Sequence, residues 1–242
     1  MRAETRRQLK QDKFSRTTIQ VAEQTVHWSV EHKGKVIAGA IVAVVLISAL
    51  LGAWYYLEQQ DEKASVDFSR AVQTLNTPVR PPGMPPQPND PSFASVTERA
   101  AEAHKQFQAL VKQYPHTRSA DFGHYFLGVT SASLGDNVAA ERELKEVAAY
   151  HNADLSSLAK MALASLYRNT NRSQEAINLY KQLMQSPTST VGKTAVEVQL
   201  AEAYQDAGNT AEAKKLYEQI QKENAQSDAG QFAASKLQEM KY

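Results

Sequence analysis

The stretch STVGKT, residues 189–194, is the part of the chain nearest to a motif with chemistry of its own. Its Gly-Lys-Thr ending is typical of loops that bind phosphate, in which backbone N–H groups and a lysine hold a nucleotide. Such a loop also needs glycine five residues before Gly192, where the sequence has Pro187. No strand pattern precedes the stretch. We therefore expect no nucleotide site here.

Other reactive side chains are scarce or scattered. The sequence has no cysteine, which excludes disulfides, thiolate nucleophiles and cysteine metal ligands. Glu141, Glu143 and Glu146 alternate with Arg142 and Lys145, a pattern that indicates a solvated helix face. Six histidines show no metal-ligand spacing and are expected to be ordinary surface or half-buried residues: His27, His32, His104, His116, His124 and His151. We predict no catalytic, cofactor or metal site, and hence no enzyme.

Residues 36–57, VIAGAIVAVVLISALLGAWYYL, carry no charge, Asn, Gln or Pro. As a helix this run would be about 33 Å long, enough for a hydrocarbon core of about 30 Å. Trp54, Tyr55 and Tyr56 stand at one end, where an aromatic belt is expected. A cleaved signal peptide would have a shorter apolar run and fewer residues before it. The run predicts a single transmembrane helix.

The charges on either side of this run differ. Residues 1–35 have eight bases against four acids, whereas residues 58–242 have 19 bases against 22 acids. The positive-inside rule places the basic tail, residues 1–35, in the cytoplasm and the rest of the chain outside it. The tail could also attract anionic lipid headgroups. Because it is short and tethered, we do not expect nucleic-acid binding.

Beyond the run, a sequence pattern recurs every 36–37 residues. LASLYRNTNRSQEAINLY starts at Leu163 and LAEAYQDAGNTAEAKKLY starts at Leu200. This period is typical of a solenoid of helical hairpins. Small residues at fixed offsets would let paired helices approach closely: Gly128, Ala164 and Ala201 in the first helices, and Ala140, Ala176 and Ala213 in the second. Gly135, Asn171 and Gly208 stand where a left-handed residue would end each first helix, and Ser173 and Thr210 follow as predicted N-caps.

The repeated units resemble the tetratricopeptide repeat over about Ser92 to Lys222. Each helix has the family's small residue, Tyr167 and Tyr204 match its first-helix aromatic, and Tyr180 and Tyr217 match the second. The first unit departs from the pattern, because His124 and Ser131 stand at the family's Trp and Tyr positions. Together with the apolar run, the resemblance predicts an all-α fold: a transmembrane helix followed by a tetratricopeptide-repeat solenoid over residues 92–242.

Two flanking helices and a loop complete the predicted domain organisation. Residues 228–242 place Phe232, Ala233, Leu237 and Met240 on one stripe, which indicates a helix that caps the solenoid. Residues 58–77 continue from the span with Val66, Ala71, Val72 and Leu75 as apolar positions. Residues 78–91, with seven of the nine prolines, predict an extended loop. That loop is a semi-rigid connection or, alternatively, a PxxP docking motif.

In tetratricopeptide arrays the first helix of each unit lines a concave groove. Carried onto this chain, that resemblance nominates a peptide-binding surface formed by Phe122, Tyr125, Val129, Leu158, Met161, Arg168, Val198, Glu202 and Gln205. Phe122, Tyr125 and Leu158 have a second interpretation, because they could simply pack under the Pro-rich loop or the helix after the span. Burial and binding demand the same residue types here.

The layout of tail, span and repeats resembles the bacterial family of ancillary SecYEG translocon subunits. Lys35, the apolar run, Gly52 and Trp54 carry this resemblance together with the repeats. The resemblance implies a non-enzymatic, single-pass inner-membrane scaffold whose periplasmic domain binds the translocon, a chaperone or a secretory chain. The alternative hypothesis is a self-associating scaffold of the cell envelope or division machinery. Small-xxx-small pairs at Gly39/Ala43 and Ser48/Gly52 would then support a homodimer.

Overall fold

The computed structural model describes residues 33–85 and 91–240, apart from the side chain of Val36. The predicted tail, including His27 and His32, lies almost wholly outside the described residues, as does part of the Pro-rich loop. Over the described residues the chain forms nine α-helices and no strands, which confirms the all-α prediction: α1 Lys33–Asn76, α2 Val96–Gln113, α3 Arg118–Ser133, α4 Asn137–Ala148, α5 Ala153–Asn169, α6 Ser173–Gln185, α7 Lys193–Asp206, α8 Thr210–Glu223 and α9 Asp228–Glu239.

The chain divides into two units, Met1–Glu58 and Gln59–Tyr242. The described part of the first unit is the apolar portion of α1, whose large side chains face outward. Leu50, for example, is 69% exposed, and Trp54 is 64% exposed. The most apolar window of α1 has a mean hydropathy of 2.7, and none of it is buried. By length and composition, α1 can therefore cross a membrane.

In the second unit, the turns within the repeats have the backbone geometry that the sequence predicted. Gly135, Asn171 and Gly208 have φ values of 84°, 59° and 75°. At each turn the next residue donates its N–H to a carbonyl five residues back, as Arg172 does to Tyr167 at 2.7 Å. This bond caps the end of the first helix. The left-handed positions are confirmed, and they fix each hairpin α3–α4, α5–α6 and α7–α8.

The starts of two second helices differ from the prediction. Ser173 and Thr210 are the first helical residues of α6 and α8, so their assignment as N-caps is wrong. The capping positions hold Arg172 and Asn209, and neither side chain makes a capping hydrogen bond. The turn after the left-handed residue is short. Each second helix therefore begins at Ser173 or Thr210 itself, one residue earlier than it would if that residue were the N-cap.

The small residues of the repeats lie at the contacts between helices, as predicted. Ala164, Ala176, Ala201 and Ala213 are all fully buried. A Cβ atom added to Gly128 would lie 2.6 Å from Leu144 Cγ. These positions therefore admit no larger side chain without displacement of the neighbouring helix.

Helix α1 and helix α9 close the two ends of the repeat core. Ala64, Phe68 and Ala71 of α1 pack with Phe107 and Leu110 of α2. Val66, predicted to be on this apolar face, is instead 57% exposed, because the buried face follows Ala64, Phe68 and Ala71. At the other end, the predicted cap is found. Side chains of α8, of α9 and of the residue that follows α9 pack together there: Tyr217, Ile220, Phe232, Ala233, Leu237 and Met240.

The Pro-rich loop between α1 and α2 is extended at both of its described ends. Val79 and Phe93 form an isolated bridge, and Arg80 donates its N–H to the Phe93 carbonyl at 2.9 Å. The Arg80 guanidinium also donates to the Ser92 carbonyl at 2.8 Å. These bonds bring the two ends of the loop together. They make it a closed connection between two packed helices.

Candidate functional site

The first helices of successive repeats form the inner surface of the second unit. Helix α3 contacts α5, α5 contacts α7, and α7 contacts α9. Among the described helices, no corresponding contacts join α4, α6 and α8 to one another. The predicted groove residues all lie on α3, α5 and α7, where Gln205 is exposed and the other eight are half-buried.

At the α3 end, the inner surface is occupied by the chain itself. The Phe122 ring lies 6.1 Å from the ring of Phe68 on α1, and Phe126 stacks on Phe107 at 4.9 Å. Tyr125 contacts Phe126 edge to face at 5.1 Å. Phe122 therefore packs against the helix that follows the span, which is the second interpretation that the sequence left open for it.

At the other end, α5, α7 and α9 border an open groove of about 390 Å³, which we call the C-terminal groove. The groove is lined by Met161, Ala195, Val198, Gln199, Asp228, Ala229 and Phe232. Of these, only Met161 and Val198 are among the groove residues predicted from the sequence. Phe232 was assigned to the capping stripe, and its contribution to an open surface could have been foreseen from the position of α9 as an unpaired first helix.

An ion-pair network adjoins the C-terminal groove. The Arg168 guanidinium donates to Glu202 at 2.7 Å, to Asp206 at 2.8 Å and to Gln199 at 3.0 Å. Burial alone would lower the pKa of Arg168, but the hydrogen bonds to Asp206 and Glu202 outweigh it and raise that pKa. Arg168 and Glu202 were both predicted groove residues. Here they bind each other and tie α5 to α7.

A second network joins neighbouring repeats away from the groove. Glu141 accepts from Arg172 at 2.6 Å, from Tyr167 at 3.0 Å and from Lys145 at 2.6 Å. The hydrogen bond from Arg172, followed by that from Lys145, lowers the pKa of Glu141 to about 2. The Arg172 guanidinium also lies 4.0 Å above the ring of Tyr167. The network holds α4 against the α5–α6 turn.

Glu143, on the same helix, is half-buried as well. Its carboxylate pairs with His124 at 3.0 Å and with Arg142 at 2.9 Å. The interpretation of Glu141 and Glu143 as a solvated face is therefore wrong, and only Glu146 is fully exposed as expected. The pattern of alternating charges did not reveal that Arg172, in the α5–α6 turn, contacts Glu141, or that His124, on α3, contacts Glu143.

Residues 189–192 of the STVGKT stretch lie in the loop between α6 and α7, and Lys193 and Thr194 begin α7. The Ser189 hydroxyl donates to Asp154 at 3.0 Å, and the Thr190 hydroxyl lies 3.1 Å from the same carboxylate. Lys193 pairs with Glu197 at 3.1 Å. The hydroxyls of Ser189 and Thr190 and the ammonium of Lys193 are thus bonded to carboxylates of the chain itself.

Stacked hairpins with first helices inside and small residues at their crossings define a helical-repeat protein of the tetratricopeptide class. The family model described as the tetratricopeptide repeat-like domain matches residues 26–242, so the chain belongs to this family. The match begins before α1 and therefore includes the apolar helix. No curated protein and no solved structure matches the chain significantly. Domains of this class typically serve as non-catalytic scaffolds for contacts between proteins.

Proposed function

We propose that this protein is a non-enzymatic scaffold, anchored in a membrane by α1, whose repeat domain binds another polypeptide. One observation carries the proposal: an open, largely apolar groove on the inner surface of the repeats, where Val198 and Phe232 remain only half-buried. Helical-repeat surfaces of this kind suit a partner helix or an extended segment. The exposed apolar side chains of α1 suit lipid contact.

We further propose that the anchor lies in a bacterial inner membrane, with the basic tail in the cytoplasm and the repeats in the periplasm. The charge difference across the apolar run supports this orientation. The resemblance to ancillary translocon subunits favours three partners: the Sec translocon, a periplasmic chaperone or an emerging secretory chain. The groove residues predicted from sequence, including Tyr125, Val129, Leu158 and Gln205, would then extend the contact beyond the C-terminal groove.

In-cell crosslinking tests the binding proposal. A photoreactive residue at Val198, or at Tyr125 nearer the other end, is expected to capture an envelope or translocon protein in intact cells. The matched control is Gln182, an exposed residue of the second helix α6. Equal capture from Gln182 and Val198, or a map without any envelope partner, would reject the proposal.

Self-association is the alternative function. A Cβ atom added to Gly39 or Gly52 would meet no atom within 4 Å, so these faces of α1 are open to another helix. Sedimentation equilibrium of the full chain in detergent separates the two proposals. A strictly monomeric chain would exclude the self-associating scaffold, whereas the partner-binding proposal requires no dimer.

A further inference from the structure

The C-terminal groove joins apolar contact area to an uncompensated acidic edge. Met161, Val198 and Phe232 supply the large apolar side chains, and Ala195 and Ala229 leave the space between them open. The volume of about 390 Å³ falls in the range of about 300–1,000 Å³ that is usual for ligand-binding clefts. Apolar area alone does not identify an occupant, so the charges at the edge decide its chemistry.

Two bases stand at this edge, and both are already neutralised. Arg168, which donates to the groove residue Gln199, pairs with two carboxylates, Glu202 and Asp206. Lys236, which lies 5.7 Å from the centre of the Phe232 ring, pairs with Glu239 at 2.9 Å.

Asp228 lines the groove itself and forms no ion pair within residues 33–85 and 91–240. Together with Arg168, Lys236 and their partners Glu202, Asp206 and Glu239, it makes a group of four acids and two bases. These six side chains carry a net charge of −2.

We propose that the C-terminal groove takes a segment of a partner polypeptide that combines large apolar side chains with lysine or arginine residues. This inference rests on the proposed binding function and specifies the chemistry of its partner. Apolar side chains of the segment fill the space above Val198 and Phe232, and its bases face Asp228 and the Glu202–Asp206 pair. Complementary charge of this kind selects the partner and speeds association more than it adds affinity.

Two other occupants fit this edge less well. An anionic lipid surface would be repelled by the surplus of carboxylates. The helix that follows the span closes the inner surface at the α3 end, where Phe68 meets Phe122, and its contacts do not include the C-terminal groove. A basic and apolar polypeptide segment is the occupant that complements both the apolar side chains of the groove and the carboxylates at its edge.

Peptide binding to the full chain in zwitterionic lipid nanodiscs tests the inference. Three short labelled peptides serve as probes: one of leucine and lysine, one of leucine and glutamate, and one of serine and lysine. We expect the leucine–lysine peptide to bind tightest after subtraction of binding to empty nanodiscs, and to weaken as salt is added. Preference for the leucine–glutamate peptide, no binding of any peptide, or equal binding to empty nanodiscs would overturn the inference.

Charge reversal locates the binding. Asp228→Lys should weaken binding of the leucine–lysine peptide about tenfold and strengthen binding of the leucine–glutamate peptide. Glu239→Lys should act in the same direction, and it keeps α9 intact because a helix C-terminus favours a base. The matched control is Glu218→Lys on the exposed face of α8. If all three variants bind alike, the groove is not the site, whereas crosslinking from Val198 still tests the proposed function separately.

Discussion

Tyr167 lies on the first helix of one repeat and Tyr217 on the second helix of the next, and their hydroxyls have opposite surroundings. The Tyr167 hydroxyl donates to Glu141 at 3.0 Å. The Tyr217 hydroxyl is buried without a hydrogen-bond partner in the described part of the chain, and burial raises the pKa of Tyr217 to about 12. An unpaired buried hydroxyl costs free energy, whereas one bonded to a carboxylate contributes to stability.

The two tyrosines therefore give a matched pair of variants. Tyr217→Phe should leave the free energy of unfolding unchanged or raise it, because only the unpaired hydroxyl is lost. Tyr167→Phe should lower that free energy by roughly 1.5 kcal/mol, because a bond to a charged acceptor is lost. Urea unfolding of the full chain in detergent, followed by circular dichroism, measures both. A large loss of stability in Tyr217→Phe would contradict this account.

Glu141 should make stability depend on pH in the acid range. Its pKa falls from 4.5 to about 2 on folding, so its contribution is fully present above pH 4.5 and is lost as pH falls through about 2. Glu141→Gln should thus lower the melting temperature at neutral pH, and the difference from the natural chain should shrink towards about pH 2. Melting curves across this range provide the measurement, with Glu218→Gln as the exposed control. A difference that does not change with pH would show that the network, rather than ionisation of Glu141, sets the effect.

At the scale of the element, the crossing of paired helices depends on a fully buried alanine. Ala176 is completely inaccessible in α6, and the small residues around it set how closely α5 and α6 approach. Ala176→Leu should overpack this contact and cost about 1–3 kcal/mol in the free energy of unfolding. Ala211→Leu, at an exposed position of α8, is the control that adds the same side chain without a buried contact. If both variants melt like the natural chain, Ala176 is not a packing constraint.

The sequence predicted correctly those elements in which a residue with a special backbone preference recurs at the repeat period. The left-handed residues Gly135, Asn171 and Gly208 were found because few residue types tolerate that backbone conformation. The buried face of α1 was only partly found, because a helix next to a span has apolar residues on several sides. Phe68 was missed, although its ring contacts Phe107 at 6.0 Å. The networks around Glu141 and Arg168 were missed because their partners on other elements stand 26–38 residues away in the chain.

At the scale of the whole molecule, the placement of the two chain ends is the main prediction. A reporter that is active only outside the cytoplasm should work when fused after Tyr242, because the basic residues precede the apolar run. The same reporter fused before Met1 should be silent, and a cytoplasmic reporter should show the reverse pattern. Activity of the extracytoplasmic reporter only at the Met1 end would invert the proposed topology.

The candidate site was predictable in part at this scale. Repeat resemblance identifies the helices that line the inner surface, and hence Met161 and Val198. It does not reveal that α1 covers the inner surface at the α3 end, so that the open groove lies between α5, α7 and α9. Asp228 and Phe232 join the groove because α9 packs against α7 as α7 packs against α5, which places α9 in the row of helices that line the inner surface.

The shared helix α1 also limits how the gene for such a protein can be rearranged. Ala64, Phe68 and Ala71 cover Phe107 and Leu110. The part of α1 that follows the apolar run is therefore a component of the repeat core and not only a linker. Exchange of the anchor for that of another protein would have to rejoin the chain before Ala64. The apolar portion of α1 before Ala64 can therefore be exchanged, whereas deletion of residues 64–71 would expose Phe107 and Leu110.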